Sequence, residues 1–191
     1  MAIKPILFNT EMVRAILGGR KTQTRRLVKP AQLRVLQSKF RKDHPEIDDK
    51  TLILNTCVPP CYPGDILYVR ETWSGWDDGY VYKADNTVST YPTSLVDRWH
   101  PSIHMPKDAA RIFLRVKGVY VERLQSITEI DAQKEGAEMR LIAREIWSYR
   151  AGFKRIWDST IKPVDLQLFG WKANPLVWVI EFERCEKPEA V

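Results

Sequence analysis

The chain has 191 residues, 44% hydrophobic and 28% charged, with a formal net charge of +6. These values exclude wholesale disorder and a collagen-like fibre, and no apolar run approaches the ~20 residues of a membrane-spanning helix. The first residues, Met1-Ala2-Ile3-Lys4-Pro5, lack the apolar stretch and small-residue cleavage site of a signal peptide, so the expected location is the cytoplasm. The mildly basic balance permits a nucleic-acid or nucleotide partner without demanding one. The 7 tryptophans serve either as core or as stacking surfaces for bases.

Residues 5–8 read as a short strand. Asn9 or Thr10 then caps a helix with Met12, Val13, Ile16 and Leu17 on one face, and Gly18-Gly19 stops it. The segment Arg20-Lys21-Thr22-Gln23-Thr24-Arg25-Arg26 is polar and has no apolar helical face. Residues 31–44 are basic and weakly helical, and Arg34, Lys39, Arg41 and Lys42 read as a solvated face. Residues 51–58 are apolar and strand-like. Tyr62-Pro63-Gly64-Asp65 is a turn that opens a strand over 66–70. Glu71-Thr72-Trp73 follows, then a loop, then a return strand over 80–83. Residues 85–110 read as a long ordered loop.

Alternation over 111–116 indicates a half-buried strand, which pairs with 119–124 through a turn at Lys117-Gly118. Thr128 caps a short helix, with Asp131 completing an approximate capping box, and the helix ends at Glu135-Gly136. A longer helix is predicted over 138–157, and a last strand carries Trp178, Ile180 and Phe182. Trp147, Trp157 and Trp178 read as core by their spacing. The order of elements implies an α+β fold, a small twisted barrel with helices at its ends. No repeat or Gly/Ser-rich linker divides the chain.

Cys57, Cys61 and Cys185 form an odd set, which in a chain without a signal peptide reads as reduced thiols. Cys57 and Cys61 with His100 and His104 would make four zinc ligands on paper. The gap between the pairs far exceeds that of a compact zinc finger, so structural thiols are the better reading. The polar segment after Gly19 has three readings: a solvated basic turn, an anion or nucleotide site built on arginine forks, and a lysine–threonine base and nucleophile pair. In a regular strand Lys21 and Thr24 would point to opposite faces, so they meet only where the segment is coiled or turned.

The first helix with Gly19-Arg20-Lys21-Thr22-Gln23-Thr24-Arg25-Arg26 resembles the opening signature of ASCH domains, members of the PUA-like group of small barrels. Three further blocks, at 63–70, 124–136 and 177–183, resemble the family's next elements in order. Arg70-Glu71-Thr72-Trp73, Ser102-Ile103-His104-Met105-Pro106 and Asn174-Pro175 resemble its longer phage and prophage branch. The resemblance implies one PUA-like mixed β-barrel domain with flanking helices over residues 1–191, with insertions near 31–60, 85–108 and 140–172.

It also implies an activity. ASCH domains were first read as RNA-binding modules, another member is described as a ribonuclease, and a small bacterial member removes the acetyl group from N4-acetylcytidine. Carried over by motif, the working residues of that amidohydrolase fall on Lys21, Thr24 and Glu135. The implied reaction is metal-independent and cofactor-free, on a nucleoside carrying an N4-acyl group. Thr24 would be nucleophile, Lys21 base or oxyanion support, and Glu135 the orienting or acid group. Arg26, Glu71 and Trp73 are the expected substrate contacts, Trp73 as the platform for the base. Trp73 as core and Glu71 as half of an ion pair are equally good readings. Tyr82, Lys83 and His104 read as a plain strand and loop. The competing class is an RNA or modified-base binding module without turnover, or a ribonuclease.

Overall fold

The computed structural model describes residues 1–76, 79–85 and 98–189. Strand β1 (Ile3–Leu7) leads into helix α1 (Thr10–Leu17), where the Asn9 side chain accepts from the Met12 amide. This cap satisfies one of the amides that a helix start leaves open. Met12, Val13, Ala15 and Ile16 are buried. The chain turns at Gly18 and Gly19 and returns as β2 (Gln23–Leu27). Short helical pieces α2 (Pro30–Leu33), a 3-10 turn and α3 (Lys39–Asp43) follow. Then come α4 (Asp49–Thr56), β3 (Ile66–Arg70), β4 (Trp73–Trp76) and β5 (Gly79–Tyr82). The second half holds β6 (Phe113–Arg123), α5 (Glu129–Lys134), β7 (Arg140–Ala143), β8 (Ile146–Ser148), α6 (Tyr149–Thr160), α7 (Leu166–Phe169) and β9 (Leu176–Cys185).

Five strands form a mixed sheet in the order β1-β3-β6-β9-β2, in which β1 and β3 are parallel and the other neighbours antiparallel. Arg26 of β2 donates from Nη2 to the Leu7 carbonyl of β1 at 2.8 Å. Strands at opposite ends of the order meet only if the sheet is rolled. Side chains bury on both of its faces. One cluster joins α1 to Leu67, Leu114, Ile180 and Phe182. A second sets Val177 and Val179 against Leu124, Phe153 and Trp157. A third joins Val28, Ile53 and Trp178. The architecture is α+β, a multi-strand mixed sheet with flanking helices.

Four expectations change. Residues 51–58 lie mostly in α4, because Asp48 accepts from the amides of Lys50 and Thr51 and starts a helix there. Lys117-Gly118 is no hairpin turn: β6 runs straight through, with a bulge between Val116 and Gly118 against β9. The helix expected over 138–157 divides into the β7–β8 hairpin and α6, which Ser148 caps by accepting from the Ala151 amide. Trp147 lies on that hairpin and is 59% exposed, whereas Trp157 and Trp178 are buried. The loop expected over 85–110 lies in part outside the described residues.

Candidate functional site

Lys21 stands before β2 begins, in an isolated bridge with Glu135. The Thr22 amide donates to the Lys134 carbonyl, and the Arg20 and Lys21 amides both donate to the Ala15 carbonyl. The segment is therefore turned at Lys21, the break in alternation that a meeting of Lys21 with Thr24 requires. Gly136 makes the bridge possible. Its φ is +81°, and a Cβ there would lie 2.8 Å from the Ala15 Cβ and 3.2 Å from the Lys21 Cβ.

The Lys21 ammonium donates to the Gln23 carbonyl at 2.8 Å, the Glu135 carbonyl at 2.8 Å and Glu135 Oε2 at 2.7 Å. All three of its N–H groups are thus engaged. Glu135 Oε1 accepts from Arg25 Nη1 at 3.0 Å, and Arg25 Nε donates to Glu122 Oε1 at 2.7 Å. The result is a buried chain of alternating charge, Lys21–Glu135–Arg25–Glu122, with the first three at 3–4% exposure. Burial pushes the Lys21 pKa below its ordinary 10.5, with Arg26 and Arg25 pushing the same way and Glu135 opposing them. Burial also opposes the charge on Arg25, but Glu135 and Glu122 outweigh it and raise its pKa.

Lys21, Glu135 and Arg25 line a cleft of about 160 Å³ together with Thr24, Arg26, Phe8, Phe153 and Trp157. Because β2 ends the sheet order, side chains from both of its faces reach the cleft around a free edge. Thr24 is paired opposite Ile180 and Arg25 opposite Val179, so consecutive residues approach from opposite faces. The Lys21 ammonium and the Arg26 guanidinium lie 5.4 Å and 5.2 Å from the Phe8 ring centroid. The arrangement places a hydroxyl, a buried lysine and a carboxylate around one small space with an aromatic wall.

The other expected contacts lie elsewhere. Glu71 is buried at 1% exposure and paired with Arg111, Nε to Oε1 at 2.9 Å, while Arg111 also holds Asp85 at 2.6 Å. Burial raises the Glu71 pKa, with Arg111 pulling it down. Trp73 packs against His100 and Tyr80 with ring centroids 5.0 and 5.5 Å away. Neither residue lines the cleft. Tyr82 donates its hydroxyl to the Ala109 carbonyl, and Lys83 and His104 are exposed. Cys57 donates to the Gln32 carbonyl, Cys61 is buried, and no group of three or more His, Cys, Asp or Glu able to hold a metal occurs among the described residues. No helix among them is long and apolar enough to cross a membrane.

Sequence reasoning passed over Glu122, Phe8 and Phe153 as members of the cleft and its charge chain. Glu122 stands 97 residues from Arg25, and only the antiparallel β6–β9–β2 stack brings them together.

No family model matches the chain, and no curated protein matches it. Among solved structures, an ASCH domain from Lactobacillus crispatus JV V101 aligns with a TM-score of 0.45 at 10% identity, covering 97% of this chain and 81% of that one. A hypothetical protein, PH0355, aligns with a TM-score of 0.41 at 13% identity, covering 97% of this chain and 100% of that one.

Proposed function

We propose that the chain is an ASCH-type amidohydrolase that cleaves the N4-acyl amide of acylated cytidines to cytidine and a carboxylate. The observation that carries this reading is the convergence of Lys21, Thr24 and Glu135 on one cleft. The same reading takes residues 1–191 as one domain, with α2–α4 and the β7–β8 hairpin as parts of its insertions.

In the proposed reaction the Thr24 hydroxyl oxygen attacks the acyl carbon and its proton passes to Lys21. Deprotonated Lys21 keeps two N–H groups for two of its present acceptors, gives up the third, and turns its lone pair to the Thr24 hydroxyl. The tetrahedral intermediate collapses, the C–N bond breaks, and Lys21 returns the proton to the leaving N4. Water then hydrolyses the Thr24 ester and releases the carboxylate. Glu135 holds the lysine in place, and Arg25 holds Glu135. Arg26, with guanidinium donors beyond the one at the Leu7 carbonyl, serves the base carbonyl or the oxyanion. Phe8 takes the stacking role that the sequence suggested for Trp73.

The test is release of cytidine from N4-acetylcytidine and N4-benzoylcytidine, followed by chromatography with EDTA present. Release by the native chain and none by Lys21→Ala supports the reading. No release from either substrate removes it.

A further inference from the structure

A second cleft, of about 250 Å³, shares Met12 and Ile156 with the first and reaches Gly136, the residue after Glu135. Its charged lining is Arg14, Arg20, Arg140 and Arg155 with Glu11 and Glu138. The arginines come from separate elements: α1, the turn before Lys21, β7 and α6. Arg14 donates to the carbonyls of Ala84 at 2.8 Å and Lys83 at 3.3 Å. Arg20, Arg140 and Arg155 are exposed, and their guanidinium groups make no ion pair or hydrogen bond with a described residue.

Even without Arg14, the Arg20, Arg140 and Arg155 guanidinium groups gather around one hollow, and Glu11 and Glu138 offset only part of their charge. Packing does not force this arrangement, since all four arginines are exposed. An oxyanion would remove the repulsion, because planar guanidinium forks match phosphate oxygens in shape as well as sign. The lining is too charged for an acyl or aryl group. Arg20 directly precedes Lys21, so an anion held here is contiguous with whatever occupies the first cleft.

We propose that this second cleft is a phosphate subsite, and that the protein takes its base from a phosphate-bearing ligand in preference to a free nucleoside. The proposal rests on reading the first cleft as a cytidine site. The phosphate belongs either to a mononucleotide or to an RNA strand threaded past the β7–β8 hairpin.

The experiment is calorimetric titration of the chain with cytidine, cytidine 5′-monophosphate and a short oligocytidylate. It is done on the native protein and on Arg20→Glu, Arg155→Glu and, as a charge-matched control on α3, Lys39→Glu. The arginines are exposed, so coincident thermal unfolding curves are expected and establish that each variant is folded. A phosphate contact worth a charge-assisted hydrogen bond makes the monophosphate about tenfold tighter than cytidine. Arg20→Glu and Arg155→Glu abolish that gain and Lys39→Glu does not. A further gain for the oligomer, weakening with salt by a logarithmic slope of about −0.7 per phosphate, assigns the phosphate to a strand. Equal affinity for the two assigns it to a mononucleotide. Equal affinity for all three ligands overturns the subsite, even if N4-acetylcytidine is hydrolysed. Equal losses in Lys39→Glu and Arg155→Glu overturn it as well. If cytidine fails to bind while the phosphate-bearing ligands bind through Arg20 and Arg155, the subsite stands and the cytidine reading falls.

Discussion

Lys21 has two chemical options, and pH separates them. Burial lowers its pKa from 10.5, so a base role requires kcat/KM to rise with pH through a midpoint below 10.5 and then level off. A charged lysine that only supports the oxyanion gives the opposite sign, with activity falling through the same window. A pH–rate profile of the free enzyme on N4-acetylcytidine decides between them. Glu135 opposes the lowering, so Glu135→Gln is expected to move that limb to still lower pH. The same substitution leaves Lys21 and Arg25 buried without their shared counter-charge. Its expected cost is about 3–5 kcal/mol, measured by urea unfolding. A loss under about 1 kcal/mol would mean that the charge chain is more hydrated than its burial indicates.

At the scale of elements, the bridge between the turn after α1 and the end of α5 depends on Gly136. Gly136→Ala combines a positive φ with contacts of 2.8 Å to Ala15 Cβ and 3.2 Å to Lys21 Cβ. It is expected to cost about 1–3 kcal/mol and to depress turnover by displacing Lys21. Gly19→Ala is the matched comparison. It has φ +71° but nothing within 4 Å, so only backbone strain of about 1–2 kcal/mol is expected, read from the same urea curves.

These elements also show what the sequence discloses. The caps at Asn9 and Thr128 and the stop at Gly18-Gly19 are local signals, and the structure has them where the residues put them. Residues 51–58 misled because an apolar run outweighed the Asp48 cap standing just before it. Gly118 misled because a glycine after a lysine fits a turn and a bulge equally well. The β7–β8 hairpin turns near Glu145 at φ 61°, without the glycine or asparagine that would announce it. The placement of Glu71 and Trp73 outside the cleft is non-local: it depends on Arg111 and His100, supplied by distant segments.

At the scale of the whole molecule, the rolled sheet is closed by a side chain where strands would close a barrel. Among the described residues no backbone hydrogen bond joins β1 to β2. The seam between them leaves a hollow of about 240 Å³ bordered by Pro5, Leu7, Leu67 and Ile180, with Arg26 across it. β6 and β9 are paired on both edges, so their amides are expected to exchange slowest, and the edge strands β1 and β2 faster. Arg26→Met keeps an unbranched side chain at the seam and removes the bond to Leu7 together with the guanidinium over Phe8. A hydrogen bond from a charged donor is worth about 1.5–3 kcal/mol, so exchange in β1 is expected to accelerate about tenfold or more while β6 and β9 stay unchanged. Hydrogen exchange followed by mass spectrometry reads this directly. Uniform acceleration in all five strands would mean that the seam is no separate opening and that Arg26 acts on global stability. Acceleration confined to β1 and β2 would identify the edge carrying Thr24 as the part of the sheet that opens, which couples closure of the seam to the geometry of the candidate site.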